Sequence, residues 1–467
     1  MCLVGGSNRR GRRPCQRVAH ATPLNQQNGV SEDQQTITHR SRSPSMNPQR
    51  TDELSPAEQQ GLFERDSGIE SARAGAAEIV ERVRTDGDAA LRALADELDG
   101  VQTDTVEITD QAARAVETID PAVRSAIETA AGNIRAFHER QRPEDWRETF
   151  DGRELGRRFR ALDSAGVYAP GGTAAYPSSA LMGVIPATVA GVDHVAVATP
   201  PAETVSPATL AAAEIAGADA VYQVGGAQAI GALAYGTETV TPCDVVVGPG
   251  NRWVAAAKAV VRGDVEIDFL AGPSEVVVLA DASADPELVA AELLAQAEHD
   301  TRAAVAAVTD DPELAAAVSR AVDRQLGERE RETIIREALA SDASGLFVAP
   351  SLAAAAAFAN RYAPEHLGII AENDEALLDQ IDSAGSAFLG PHSPVAAGDY
   401  ASGPNHVLPT GGGPRRVGGL SVETFLRSMT VQRLDREALG ELADSVTTLA
   451  ETEGLEAHAA SVRQRFD

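Results

Sequence analysis

Lysine is almost missing from this chain. Of its 40 basic residues, 39 are Arg and only Lys258 is Lys, set against 69 Asp and Glu for a net charge of -29. So little positive charge argues against a nucleic-acid partner, which would need basic side chains to displace counterions from phosphates. Cysteine is scarce as well. Cys2 and Cys15 lie in an N-terminal extension, and Cys243 stands alone in the body, which excludes a disulfide framework or a thiolate metal cage there. No apolar run reaches the length of a membrane span. These absences lead us to expect a cytoplasmic protein with a reduced interior and no membrane association.

What is present is acid. A genome rich in G and C would explain Arg over Lys but not the acidic excess. Together they point to adaptation to concentrated salt, where screening suppresses the self-repulsion of an acidic surface. Lys258 then stands out, because Lys and Arg are not interchangeable at a fitted site. It is either there by chance or serves near a cofactor or in folding.

Residues 1–45 run against the rest, with seven Arg and two acids. Arg9, Arg10, Arg12 and Arg13 suggest a twin-Arg export signal, but no apolar stretch follows. A disordered extension is expected, or a start placed too far upstream, with Met46 as the natural start. From about 65 to 145 apolar residues recur at three-to-four spacing. Ala76, Ala77, Ile79, Val80 and Val83 lead to Leu91, Leu94 and Leu98, and Val123 to Phe137 makes a further amphipathic helix. Residues 46–167 thus read as a helical region, expected to pack on the second α/β unit.

Short β runs then alternate with Ala-rich helical stretches. The first series is Gly166–Tyr168, Val195–Ala198, Ala220–Gln223 and Asp244–Val247. The second is Val276–Leu279, Ala303–Val308, Leu346–Val348 and Ala387–Leu389. Such alternation predicts right-handed βαβ connections and parallel sheets. The fold class is therefore α/β, with two doubly wound parallel-sheet units at 168–273 and 274–420. Residues 421–467 read as a helical, acidic tail.

Three strands of the first unit end in Gly-rich turns: Gly166-Val167-Tyr168-Ala169-Pro170-Gly171-Gly172, Gly225-Gly226-Ala227-Gln228 and Gly248-Pro249-Gly250-Asn251. Each offers backbone N–H groups and a helix N-terminus at the carboxyl end of a strand, where α/β sheets bind phosphates. None is a G-x-G-x-x-G fingerprint, so each alone also fits an ordinary βα turn. Cys243 is a conceivable nucleophile for a thiohemiacetal step, but with no His nearby in sequence it reads better as a small core residue.

In the second unit, Gln296-Ala297-Glu298-His299-Asp300 closes a helix that opens near Ser283 with Asp285-Pro286-Glu287. Residues three apart share a helix face, so Gln296 and His299 point one way and could both ligate a divalent metal. A polar helix end explains the run equally well in isolation. Three further segments carry chemistry-bearing residues: Ala363-Pro364-Glu365-His366-Leu367, Gly398-Asp399-Tyr400-Ala401-Ser402-Gly403-Pro404-Asn405-His406-Val407-Leu408-Pro409-Thr410, and Glu453-Gly454-Leu455-Glu456-Ala457-His458. With Gly248–Asn251 and Ala271-Gly272-Pro273-Ser274-Glu275, these runs resemble the histidinol dehydrogenases over residues 50 to 467. The Gly398–Thr410 run is the specific one. Gly411-Gly412-Gly413-Pro414-Arg415-Arg416, just after it, departs from the family's pattern.

The resemblance implies an aldehyde-dehydrogenase-like, incomplete Rossmann fold and a homodimer in which the tail reaches the partner. It implies one zinc per subunit held by Gln296, His299, Asp399 and His458. It also implies NAD contacts at Tyr168, Gln228 and Asn251, and Glu365 and His366 as the acid/base pair. Ser274, Gln296, His299, His366, Asp399, Glu453 and His458 would contact substrate, with Glu453 and His458 coming from the other subunit. The implied reaction oxidises L-histidinol to L-histidine through bound histidinal and reduces two NAD, within histidine biosynthesis. Two other readings remain: a related NAD- and zinc-dependent dehydrogenase of another amino alcohol or a sulfonate, and a zinc hydrolase using Glu365 as base. The hydrolase has no use for the three Gly-rich loops. His406 is a candidate for lining the site, His392 is its neighbouring rival, and His194 reads as structural.

Overall fold

The computed structural model describes residues 46–65, 67–171 and 175–467; the expectations for residues 1–45, and for Gly172, lie outside these. Two parallel sheets organise the chain. The first has five strands, ordered Ala220–Gln223, His194–Thr199, Ser164–Tyr168, Val245–Val247 and Glu266–Ile267. The second has six, ordered Pro48–Arg50, Gly345–Val348, Ala304–Thr309, Glu275–Ala280, His366–Ile370 and Ser386–Leu389.

Strand composition follows from burial on both faces. Successive side chains alternate between faces, and where helices cover both, each position favours an apolar residue. In the first sheet, Val167, Val195, Val197, Val245 and Val247 enter one core, while Ala196, Ala198, Tyr222 and Val246 enter the opposite one. The second sheet divides likewise, Val276, Val278 and Val305 on one face and Val277, Leu279, Leu367 and Ile369 on the other.

The helical region packs on the first sheet, which corrects the expectation that it would pack on the second unit. Helix Ile69–Leu94 lies against helices Gly226–Tyr235 and Arg252–Val261, and Thr109–Thr118 and Pro121–Glu139 lie against Pro207–Ala216 and Pro177–Ala190. The helix Ile69–Leu94 buries Val80, Val83, Leu91 and Leu94, each contributing about 1.5–3 kcal/mol. An acidic residue at Val83 would break that contact. Periodicity located the apolar stripe but carried no information about which sheet would receive it. Helix Pro56–Phe63 packs against Leu352–Tyr362 of the second unit, and Asn133 of Pro121–Glu139 donates to the Ala401 carbonyl there.

A third sheet was not anticipated. Trp146–Phe150, Arg153–Ala161 and Leu426–Leu434 form an antiparallel ribbon, with all nine residues of Leu426–Leu434 paired to Arg153–Ala161. The segment 421–467 is thus strand before it is helix. The ribbon is followed by a helical hairpin, Arg436–Thr452 and Glu456–Arg463.

Candidate active site

Sheet direction places the candidate residues. Each Gly-rich loop leaves the carboxyl edge of the first sheet. The second sheet presents its opposite, amino edge: Glu275 and His366 are first residues of adjacent strands, in register at His366 and Val276. Helix Pro286–Ala297 runs back towards that edge and delivers Gln296 and His299 just before strand Ala304–Thr309.

The turn before His366 is tightly built. Helix Leu352–Tyr362 ends on Ala363, which takes a left-handed conformation (φ 50°) instead of the extended one usual before Pro. Pro364 and Glu365 follow, and the strand begins at His366. Glu365 and His366 are both buried. The Glu365 carboxylate accepts the Glu275 N–H at 2.9 Å. His366 Nδ1 lies 3.1 Å from the Glu275 carbonyl oxygen and 3.7 Å from Glu365 Oε2. Its Nε2 faces Asp399 Oδ1 at 3.4 Å and is buried without a hydrogen-bond partner among the described residues.

Burial pushes Glu365 up to about 8, partly opposed by His366. Burial alone would lower His366, but Glu365 and Asp399 more than reverse it, to about 9. Burial would also raise Asp399, yet His366, His406 and His299 together hold it below the usual carboxylate range. These groups face one another closely, so each one's protonation depends on its neighbours'.

Gln296 is buried, and its side-chain amide has no partner among the described residues. His299 sits two residues beyond the helix, where its N–H donates to the Gln296 carbonyl at 3.2 Å. The two therefore share a face through a final tight turn, not through the helix proper. His299 and Asp399 are close enough to act on each other electrostatically. His299 reaches solvent in the single chain, although neighbouring atoms still desolvate its ring enough to lower its pKa. An unpartnered amide, an imidazole and a carboxylate are suitable oxygen and nitrogen donors for zinc. Among the described residues no three His, Cys, Asp or Glu come together for a metal.

His458 and Glu453 are not brought to this cluster. Both are exposed, Glu453 at the end of helix Arg436–Thr452 and His458 on Glu456–Arg463. Ser274 is half-buried beside Glu275, its carbonyl accepting the Ala304 N–H at 3.0 Å and its hydroxyl free of partners among the described residues. His406 lines the cluster: its Nδ1 is 2.7 Å from the Asp399 carbonyl and its Nε2 3.3 Å from Ser179 Oγ. His392 is exposed and away from these contacts. His194 begins a strand of the first sheet, its Nε2 buried without a hydrogen bond among the described residues. Burial pushes the Cys243 thiol up to about 12, the wrong direction for a nucleophile.

On the first sheet, the Tyr168 hydroxyl accepts the Gly226 N–H at 3.1 Å, which ties two of the Gly-rich loops together. Gln228 donates to Asp99 at 3.2 Å. Asn251 caps helix Arg252–Val261, accepting from the Trp253 and Val254 N–H groups. A Cβ on Gly225 would approach Pro200 to 3.0 Å, and one on Gly248 would reach the Tyr168 carbonyl at 2.2 Å. These close approaches explain Gly at the two positions, and the loops lie at the carboxyl ends of strands, where α/β sheets ordinarily bind phosphates.

Three important residues escaped the sequence reading. Glu275 was quoted only as part of a motif, yet its backbone holds both Glu365 and His366. Its carboxylate is paired with Arg65 in a buried bidentate contact of 2.6 and 3.0 Å. Glu292 lies one turn before Gln296 and accepts the Val395 N–H at 3.0 Å, which positions the helix carrying Asp399. A Glu four residues before Gln296, on the same helix stripe, was the available signal.

Two α/β units, one ending in Gly-rich turns at its carboxyl edge and the other holding a buried Glu–His pair, define a dehydrogenase-like architecture. A family model described as histidinol dehydrogenase matches residues 64–466. A histidinol dehydrogenase of Haloarcula marismortui is 67% identical over 422 residues, covering 90% of this chain and 100% of the relative. One of Natronomonas pharaonis is 64% identical over the same shares. The crystal structure of histidinol dehydrogenase from Elizabethkingia anophelis superposes with a TM-score of 0.84 at 36% identity, covering 88% of this chain and 96% of that one. The chain belongs to the histidinol dehydrogenase family and is an oxidoreductase.

Proposed function

We propose that this enzyme oxidises L-histidinol to L-histidine in histidine biosynthesis, reducing two NAD and keeping histidinal bound between the steps. The observation that carries the reading is the buried Glu365–His366 pair at the amino edge of the second sheet, with His366 Nε2 unpartnered and turned towards Asp399. His366 takes the alcohol proton as the carbinol C–H leaves as hydride. Glu365 then takes a proton from water, whose oxygen adds to the aldehyde carbon. Loss of the second hydride from the hydrate gives the acid. Tyr168, Gln228 and Asn251 would hold NAD, which when bound would supply the hydride acceptor. Gln296, His299, Asp399 and His458 of the partner subunit would hold one zinc, which when bound orients the substrate's amine and imidazole. Ser274 and Glu453 of the partner subunit would contact substrate. Retention of the aldehyde excludes side reactions with solvent.

The homodimer is supported by apolar residues left in solvent: Trp146, Phe150 and Met429 on the ribbon, and Leu449 and Leu455 on the hairpin. Such exposure marks a surface that a partner covers. Adaptation to concentrated salt is supported by the charge balance and by the salt-loving sources of the relatives. Among the described residues no helix is long and apolar enough to cross a membrane, and we place the enzyme in the cytoplasm. Purified protein in molar KCl, given zinc and NAD, is expected to form two NADH per histidinol. One NADH with release of aldehyde, or turnover only of another amino alcohol, would overturn this reading.

A further inference from the structure

Lys258, the only lysine of the chain, is buried and ion-paired, and its contacts fall on one loop. Its Nζ donates to Asp268 Oδ1 at 2.6 Å and to the Gly248 carbonyl at 2.6 Å. The other oxygen of Asp268 accepts the Gly248 N–H at 2.8 Å. One ion pair therefore grips both backbone polar groups of a single residue, the first of the Gly248–Asn251 turn. Gly248 itself is held at φ 111°, a region that favours Gly.

We infer that Lys258 and Asp268 are positioning residues for the dinucleotide, setting the peptide planes of Gly248 so that the following turn presents its N–H groups to the cofactor. The inference rests on the reading of Gly248–Asn251 as a nucleotide loop. Stability alone is a poor explanation for the pair. Taking two charges out of water offsets much of their attraction, and an apolar pair of similar volume often serves stability as well. An apolar pair could not hold a carbonyl and an N–H of the same residue. The compact ammonium also suits a site with two acceptors both at 2.6 Å, where a planar guanidinium fork would need more room. That accounts for a Lys here in a chain that uses Arg at every other cationic position. Asp268 also begins the connector to the second unit, six residues before Ser274. The pair thus anchors the cofactor loop and the root of the connector to one point.

The test is direct titration with NADH, followed by its fluorescence, on wild type, Lys258→Met, Lys258→Arg and Asp268→Asn, with folding checked by circular dichroism. Folded Lys258→Met is expected to bind NADH about tenfold or more weakly. KM for NAD should rise, with KM for histidinol and kcat at saturating NAD little changed. Lys258→Arg should not restore affinity. If Lys258→Met does not fold, the near-isosteric Asp268→Asn reads the same contact through Gly248. Wild-type affinity for NADH in either folded variant overturns the inference. If wild type itself fails to bind NADH, the nucleotide-loop reading falls, and this inference with it.

Discussion

His366 Nδ1 lies 3.1 Å from the main-chain carbonyl oxygen of Glu275, the first residue of the neighbouring strand. That contact keeps a hydrogen on Nδ1 and leaves Nε2 as the nitrogen facing Asp399. The N–H of the same Glu275 holds the Glu365 carboxylate. A single peptide segment thereby orients both members of the proposed acid/base pair.

If these roles hold, the two side chains separate kinetically. His366→Asn should lower kcat by about 10²–10⁴-fold, the range for a lost general acid/base group, with metal content retained. Glu365→Gln should slow oxidation of supplied histidinal more than oxidation of histidinol to the aldehyde level. Stopped-flow traces of NADH formation from each substrate measure this, and equal slowing of both would contradict the assignment of Glu365 to water.

Arg65 should be a stability residue with a catalytic echo. Its guanidinium pairs with buried Glu275 and stacks 3.9 Å over the Tyr362 ring. Arg65→Met leaves the Glu275 carboxylate buried and unpaired, a loss expected to cost about 3–5 kcal/mol. The double variant Arg65→Met, Glu275→Leu should recover most of that in denaturant titrations. A single variant as stable as wild type would show that the pair contributes little.

The proposed sharing of the metal site between subunits predicts complementation. His458→Ala and His366→Ala dimers should each be inactive, the former with reduced zinc. Random exchange of subunits at equal amounts makes half the dimers mixed, each with one intact site, so about a quarter of wild-type activity should appear. Absence of any recovery, with exchange verified by mass spectrometry, would refute a site built from two chains.

Acid stability should depend on Asp88. Burial acts to raise its pKa, but the Thr237 and Thr239 hydroxyls and the Thr239 N–H together hold it below the ordinary 3.8. A carboxyl lowered on folding stabilises the protein above its unfolded pKa, and that contribution disappears as pH falls through the folded value. Asp88→Asn should therefore be less stable than wild type near pH 7. The gap should narrow below about pH 3.8, as followed by thermal melts across pH.

The central parallel strands were legible because burial on both faces makes them short apolar runs rich in Val and Ala. His366–Ile370 escaped because it opens on the candidate His directly after Pro364-Glu365, and the edge strands Pro48–Arg50 and Glu266–Ile267 escaped because neither is an apolar run. The antiparallel ribbon was illegible for another reason. Arg153–Ala161, reading Arg-Glu-Leu-Gly-Arg-Arg-Phe-Arg-Ala, has few apolar side chains and finds its partner strand near the far end of the chain. Site residues with distinctive side chains in distinctive runs could be picked out. Glu275 could not, since its backbone does the holding, and main-chain groups are the same in every residue. Arg65 lay in a charged stretch, with nothing to show that it would be buried.

The two sheets present their candidate residues from opposite ends, the first by its carboxyl edge and the second by its amino edge. Loops at carboxyl edges are where α/β proteins ordinarily carry their chemistry. In the six-stranded sheet those loops, following Ala280, Thr309, Val348 and Ile370, point away from Glu275 and His366. They form a rim, and a surface label or a fused peptide on it is expected to leave turnover unchanged. For anyone immobilising this enzyme or fusing it to another, that rim is the place to attach.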